Sequence, residues 1–530
     1  MANVLLVNPA LAYCNWNAPL NNQSPDTVFI RLGLAYLAGA LKARGHKVSL
    51  LDLRILSGWD EYERAVKEIT PDFVGISIHS VEFSMAVEAA RRAKKVLPGV
   101  KVVAGNIHPT MFPRECLDTG AFDYVLMGEG EISFPLLVEN PSRFPKYSWG
   151  ETPDLDKVPF PDREIWPDFL KRMHSEPFGV SKFRFPLPMV EMINIRGCPY
   201  ACSFCVGPGE KQLYTKEISG GKRKPFIRGR SVSNVIAEIQ MLIDKYGIKS
   251  VMFHDDQFLI FPRWVEEFAD ELHKSGIVKY GLKWVTSSRA DVICRNEKLI
   301  GRLAEAGLAL LIVGFESFSP RILKWFEKGV TVEQNFKAAE ICREYNIKIW
   351  ANYILGAVTD TGWHREDDLL TVAGVLKVAP VHYSPALYTP VPGSKLYTYY
   401  EKNNLIDMDY GASIESLSDR GKMAPKLKGV DYDLLQRMMV DDSIFSFSIF
   451  MNIDVEKIME GYSPARNGMD DIAYIKTWSA EAEQRIKALQ RRIPLMRLRP
   501  MLRKYLGKRG CDFLRYVGRI LNLSFRNKGG

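Results

Sequence analysis

The sequence predicts an α/β protein built from two strand-helix series in succession, followed by a mainly helical region. Three observations carry that reading. Short β-branched runs alternate with helix-spaced patterns over residues 1–135, the alternation resumes at residue 190 after a proline-rich stretch, and it ends near residue 400. At 530 residues the chain also exceeds a single core, since cores rarely grow past about 250–300 residues.

The first series reads as strands VLLVN (4–8), KVSLLDL (47–53), FVGISIH (73–79), VKVVAG (100–105) and YVLMG (124–128). Between them LGLAYLAGALKARG (32–45) and SMAVEAARRAKKVL (84–97) repeat apolar residues at helical spacing, and Gly45 suits a C-cap. Such units form a doubly wound, Rossmann-like parallel sheet, assigned to residues 1–140, which binds ligands beyond its carboxyl edge. The loops expected at that edge are NPALAYCNWNAP, SIHSVEF, GNIHPTMFP and GEGE. Eight prolines over 136–186 and little periodicity mark a linker, bounded here at 141–186.

The second series runs VEMINI (190–195), SVMFH (250–254), LKWVTS (282–287), ALLIVGF (309–315), IKIWANYIL (347–355) and VHYSPALY (381–388). Six strand-helix units predict a partial (β/α)6 barrel over 187–400, with reactive groups at the C-terminal strand ends. Residues 401–530 read as a helical C-terminal region, basic and amphipathic from Glu481 onwards.

Composition bounds the function. The hydrophobic fraction of 46% and charged fraction of 25% are those of an ordinary globular chain. The N-terminus has no basic leader, and no apolar run approaches the ~20 residues of a spanning helix. A cytoplasmic location is expected, in which cysteines stay reduced and serve metals rather than disulfides. The net charge of +9 is local: residues 485–530 carry fourteen Lys or Arg against one acid, leaving the first 484 residues at −4. A nucleic-acid partner is therefore not expected. Basic residues interleaved with apolar ones in the tail read as a segment for the membrane surface, with solvated helices packed on the barrel as the alternative. Pro494 and Pro500 exclude one long helix there.

The chemistry is concentrated in IRGCPYACSFCVGPG (195–209), where Cys198, Cys202 and Cys205 are spaced C-x3-C-x2-C. A structural zinc ion requires four ligands, as does an iron-sulfur cubane that only transfers electrons. Three cysteines leave one iron open to a reactant. A zinc site completed by a distant histidine such as His254 is the competing reading.

This motif at the end of a first barrel strand, with Phe204 ahead of the third cysteine, resembles the radical S-adenosylmethionine (SAM) superfamily. The stretches IRGRSVSNVIAEIQMLIDKYGIKSVMFHDDQF (227–258), SSRAD (287–291), GFES (314–317), ILGAV (354–358) and YTPVPGS (388–394) extend the likeness. So do GISIHS (75–80), GNIHPT (105–110) and MGEGE (127–131). Together they resemble, over roughly residues 1–400, the subgroup with a cobalamin-binding domain ahead of the barrel. That subgroup includes methylases and the anaerobic magnesium-protoporphyrin ester cyclase.

The resemblance implies site roles. Cys198, Cys202 and Cys205 would hold a 4Fe-4S cluster whose fourth iron is chelated by SAM. Arg289 is the candidate for SAM's carboxylate, Glu316 for its ribose, and Phe204, Ile354 and Gly356 for its adenine. Asp255 and Asp256, paired at the end of the second barrel strand, are candidates to hold a substrate group or move a proton, with helix capping as the alternative. Ser77, Ser80, Gly105, Asn106, Gly128 and Gly130 would receive the cobalamin tail, where glycines admit close backbone approach. The cobalt-ligating D-x-H-x-x-G motif is missing, a departure that matches the radical SAM branch the chain resembles, in which cobalamin is generally bound base-off without that histidine; His79 is the one histidine in a loop at that edge with a route to the lower face.

The function implied is a cobalamin-dependent radical SAM methyltransferase. A 5'-deoxyadenosyl radical would activate an unreactive carbon, and methylcobalamin would deliver the methyl group. Cyclisation or oxidation without methyl transfer is the enzymatic alternative, and a cobalamin- or nucleotide-binding module with structural zinc is the non-enzymatic one. The substrate expected is a small or lipid-like molecule, and the electron donor a reductase with flavodoxin or ferredoxin.

Overall fold

The computed structural model describes residues 1–9, 29–175, 184–217, 225–407, 426–432 and 434–435. The N-terminal sheet contains β1 (Asn3–Asn8), β2 (Lys47–Asp52), β3 (Phe73–Ser77), β4 (Lys101–Gly105), β5 (Tyr124–Met127) and β6 (Tyr147–Trp149). All six pair in parallel in the order β2-β1-β3-β4-β5-β6. The run VLLV in β1 is apolar throughout because both sheet faces are covered. Val4 and Leu6 join one core, while Leu5 and Val7 join the other. The sixth strand falls inside the segment read from sequence as a linker.

The second sheet contains β7 (Met189–Met192), β10 (Ser250–Phe253), β11 (Lys283–Arg289), β12 (Leu308–Glu316), β13 (Lys348–Leu355) and β16 (His382–Leu387). These strands are also all parallel and neighbour one another in chain order, giving the open, partial barrel expected from the six-unit pattern. Two short antiparallel pairs interrupt the count: β8 (Ile195–Arg196) with β9 (Arg228–Gly229), and β14 (Val358–Thr359) with β15 (Gly362–Trp363). The outer helices have readable ends. Ser231 caps Val232–Tyr246 through the Asn234 amide, and Gly247 closes it in the left-handed region at φ +63°.

The domains are not loosely tethered. One apolar core runs from Val4, Leu6 and Tyr36 through Trp166 and Phe169 of the linker to Val190, Phe253 and Trp284 of the barrel. Linker Arg163, buried, donates Nη2 to the Glu191 carbonyl at 2.8 Å and to Glu238 Oε1 at 2.7 Å. Gly39 admits the linker backbone, since a Cβ there would stand 2.8 Å from the Phe160 carbonyl. Among the described residues no helix is long and apolar enough to cross a membrane. Most of the C-terminal region, including the basic run from Glu481, lies outside the described residues.

Candidate active site between two sheet edges

The chain leaves β7 and passes through β8 into the cysteine loop. Gly197 makes that entry possible: its φ is +88°, and a Cβ there would stand 2.7 Å from the Phe226 carbonyl oxygen. Backbone bonds pin the loop. Ser203 donates its amide to the Phe326 carbonyl at 2.9 Å and its hydroxyl to the Trp325 carbonyl at 2.8 Å, and its own carbonyl accepts from Leu396 N at 2.9 Å. Cys205 N bonds the Cys202 carbonyl at 3.1 Å, and Gly207 N reaches Cys205 Sγ at 3.4 Å.

Cys198, Cys202 and Cys205 are free thiols. Burial pushes the half-buried Cys198 thiol up, and desolvation by the surrounding protein pushes the Cys205 thiol up to about 11 although that residue is exposed at the surface. Neither suits a free nucleophile, so a bound metal is what would render them anionic. Among the described residues no three His, Cys, Asp or Glu side chains converge as ligands of a single ion.

Strand β11 ends on Arg289, which is buried and meets the loop directly. Its Nη1 lies 3.4 Å from Cys202 Sγ and its Nε 2.9 Å from Asp291 Oδ1, its Nη2 donates to the Lys328 carbonyl, and its guanidinium sits 3.7 Å from the Tyr200 ring centroid. Strand β12 ends on Glu316, at φ +61°, whose Oε1 accepts from the buried Lys328 Nζ at 3.0 Å. An internal cation, which no motif in the sequence announced, thus pairs with this strand-end carboxylate. Phe204 and Ile354 join one apolar cluster with Phe326 and Tyr388, Phe204 lying 4.8 Å from the Phe326 ring. Gly356, at φ +84°, donates its amide to Asp368 Oδ1 at 2.8 Å.

The two acids after β10 divide their work, and neither caps the helix Pro262–Lys274 that follows. Buried Asp255 accepts from Asn194 N at 2.6 Å and Ile195 N at 3.2 Å, shaping the approach to the cysteine loop; burial lifts its carboxyl to about 7. Asp256 accepts from Gly197 N at 2.7 Å and opens onto a cavity, though it lies deep enough that burial raises its carboxyl.

That cavity, of about 340 Å³, lies between the domains. From the N-terminal sheet edge come Ser77, Gly105, Asn106, Gly128 and Gly130, and from the barrel Gly197, Glu210, Tyr214, His254 and Asp256. Asn106 holds the edge in shape at φ +84°, its Oδ1 accepting from Ile107 N at 2.7 Å and its Nδ2 donating to Ser77 Oγ at 2.9 Å. Burial, then the charges of Asp256 and Glu129, raise Glu210 to about 7; burial drops His254 to about 4. His79 and Ser80 stand outside the lining. His79 Nδ1 is bound by Arg31 Nη1 at 2.9 Å and lies 3.3 Å from Glu82 Oε2, while Ser80 Oγ pairs with His108 Nδ1 at 3.1 Å.

A clamp closes the cavity's rim. Arg196 donates to Glu129 at 2.7 Å and to Glu131 at 2.6 Å, and Arg228 donates to Glu129 at 2.5 Å. The GEGE loop of one domain is thereby bound to the residue two positions before Cys198. Glycines leave room on the N-terminal side of the cavity: a Cβ at Gly33 would meet nothing within 4 Å, and one at Gly105 only the Leu126 carbonyl at 3.7 Å. The open, glycine-rich edge fits a bulky cofactor, and the three thiols fit a cluster.

Fold and site define an enzyme that pairs a cofactor-binding doubly wound domain with a cysteine-loop barrel. The B12 binding domain family matches residues 22–138, and the Radical SAM superfamily matches residues 192–369. The chain thus carries a B12-binding domain followed by a radical SAM domain, in that order. An uncharacterized methyltransferase of Pyrococcus horikoshii is 29% identical over 398 residues, covering 71% of this chain and 79% of that protein. The anaerobic magnesium-protoporphyrin IX monomethyl ester cyclase of Rubrivivax gelatinosus is 27% identical, covering 69% of this chain and 65% of that one. Among solved structures, the cobalamin-dependent S-adenosylmethionine radical enzyme OxsB, with aqua-cobalamin and S-adenosylmethionine bound, superposes with a TM-score of 0.62 at 16% identity, over 98% of this chain and 75% of that one.

Proposed function

We propose that the chain is a cobalamin-dependent radical SAM methyltransferase acting on an unactivated carbon. The observation that carries this reading is the shared cavity, into which the C-terminal edges of both sheets project. The cysteine loop starts beside the cavity's Gly197, and its three thiols, with Arg289 and Glu316, stand outside the lining; a cluster with SAM there would supply a 5'-deoxyadenosyl radical, and cobalamin in the cavity a transferable methyl group. The protein's part is placement. Cys198, Cys202 and Cys205 hold the cluster, Arg289 stands beside it for SAM's carboxylate, and Glu316 with Lys328 ends the strand where the ribose would lie. Phe204 and Ile354 offer an apolar seat for the adenine, backed by the turn at Gly356. Asp256 faces the cavity to bind a substrate group or hold a proton, and Glu210 joins it there.

Cobalamin would lie on Ser77, Gly105, Asn106, Gly128 and Gly130 in the base-off form. Among the described residues no histidine lines the N-terminal side of the cavity, and residues 10–28 contain none in sequence, which supports binding without a histidine ligand from those parts of the chain. A cyclase that omits methyl transfer is the second reading, favoured by the likeness to the Rubrivivax enzyme.

The two are separated without knowing the substrate. The anaerobically reconstituted full chain, given reduced cobalamin, a low-potential reductant and methyl-labelled SAM, is expected to release S-adenosylhomocysteine as well as 5'-deoxyadenosine. Release of 5'-deoxyadenosine alone, with no label on cobalamin, would favour the cyclase. We further propose a flavodoxin or ferredoxin as electron donor, a cytoplasmic site of action, and a small or lipid-like substrate met at the membrane surface through the basic tail. Flotation of the full chain and of a chain lacking residues 485–530 on anionic liposomes tests the last point; equal behaviour would exclude it.

A further inference from the structure

We infer that Arg289 sets the reduction potential of the cluster, as a fixed cation held against the Cys202 thiolate. The inference rests on the cluster reading above and extends it to how readily the cluster accepts its electron. Nη1 lies 3.4 Å from Cys202 Sγ, within reach of an N–H···S bond. The remaining partners prevent the guanidinium from turning away. Asp291 holds Nε at 2.9 Å, the Lys328 carbonyl holds Nη2, and the Tyr200 ring lies 3.7 Å beneath. Tyr200 belongs to the cysteine loop itself and is steadied in turn, its hydroxyl accepting from Arg295 Nη2 at 3.1 Å; a second Arg295 bond, to Asp291 Oδ2 at 2.8 Å, closes the ring. A guanidinium is a permanent cation in proteins.

The sign of the effect follows from charge. One electron from a low-potential donor adds a unit of negative charge to a cluster already carrying three thiolates, and no bond breaks. A cation and a charge-assisted donor on a thiolate favour the more negative state, so Arg289 raises the potential. Asp291 opposes it, because its carboxylate offsets part of that cation. Substitutions at the two positions therefore act in opposite directions, which disturbed packing would not produce.

The test is a potentiometric titration followed by electron paramagnetic resonance, with iron and sulfide analysis, on anaerobically reconstituted full-length protein. Arg289→Gln is expected to lower the reduced-to-oxidised ratio about tenfold at fixed potential, a downward midpoint shift of about 59 mV for a one-electron couple. Asp291→Asn is expected to shift the midpoint upward, and Arg289→Lys to fall between wild type and Arg289→Gln. Midpoints that stay at the wild-type value, or that move in the same direction for Arg289→Gln and Asp291→Asn, would overturn the inference while leaving the cluster reading intact. Should Arg289→Gln not retain iron, Asp291→Asn decides alone, an upward shift supporting the inference and an unchanged midpoint overturning it. Wild-type protein that binds no iron and sulfide would overturn both.

Discussion

Arg196 of the barrel donates Nη2 to Glu131 of the cobalamin-binding domain at 2.6 Å, two residues ahead of Cys198. The Arg196 charge holds the Glu131 carboxyl below the usual range in spite of the burial that opposes it. The bond ties the N-terminal sheet edge to the cysteine loop, and under the proposed function the spacing of cobalamin and cluster would depend on it. Glu131→Gln keeps the shape and removes the charge, while Arg196 keeps Glu129. Loss of one charged hydrogen bond should cost about 1.5–3 kcal/mol, read in urea unfolding. The ratio of S-adenosylhomocysteine to 5'-deoxyadenosine should fall with it, and unfolding within about 0.5 kcal/mol of wild type would show that the bond contributes little.

Gly33 offers a probe of the cavity that does not disturb packing. It is exposed in the helix Leu32–Ala43, lines the cavity, and has space where a side chain would go. Gly33→Leu should leave the cofactor-free protein as stable as wild type or up to about 1 kcal/mol more so, since leucine is the better helix former. Cobalamin retained after gel filtration should drop, with affinity lower by about tenfold or more, a change of about 1.4 kcal/mol. Full retention would place the cofactor elsewhere.

Asp368 predicts a pH dependence of stability. It is buried, accepts from Gly356 N at 2.8 Å and Trp363 Nε1 at 2.7 Å, and burial lifts its carboxyl from 3.8 to about 7. Between those values the folded protein binds the proton more tightly than the unfolded chain does. Its stabilising contribution is therefore complete below pH 4 and is lost as pH rises through about 7. Urea midpoints from pH 5 to 7.5 should decline more steeply for wild type than for Asp368→Asn, which has no proton to lose. Parallel profiles would show that this carboxyl titrates normally.

The cysteines can be tested one at a time. Cys198→Ala should abolish iron and sulfide binding, because two thiols cannot anchor the cubane, yet leave cobalamin binding to the N-terminal domain. Iron retained at the wild-type level would exclude Cys198 as a ligand.

Much of this site could be read from sequence, for a definable reason. Strand periodicity places residues at the strand ends; Arg289 and Glu316 occupy such ends, and Asp256 lies in the loop that follows β10. Contacts that arise when separate loops meet leave no such signal. Lys328 lies twelve residues beyond Glu316 in chain order, yet it pairs with that carboxylate. Arg196 and Arg228 show nothing locally to distinguish them from surface cations, and Glu210 follows the cysteine loop on a helix with no periodic cue. The strand Tyr147–Trp149 was hidden by its length and by Pro145 before it. Gly150 ends it where a Cβ would stand 1.9 Å from the Glu129 carbonyl, so the strand is fixed by the GEGE loop rather than by its own residues.

The central claim is that three thiols leave one iron free for SAM. The most direct test is the electron paramagnetic resonance spectrum of the anaerobically reconstituted, reduced protein, recorded before and after addition of SAM. The account predicts a cubane signal whose shape changes when SAM is added. A cubane signal that SAM leaves unaltered, or no cubane signal at all, would contradict it.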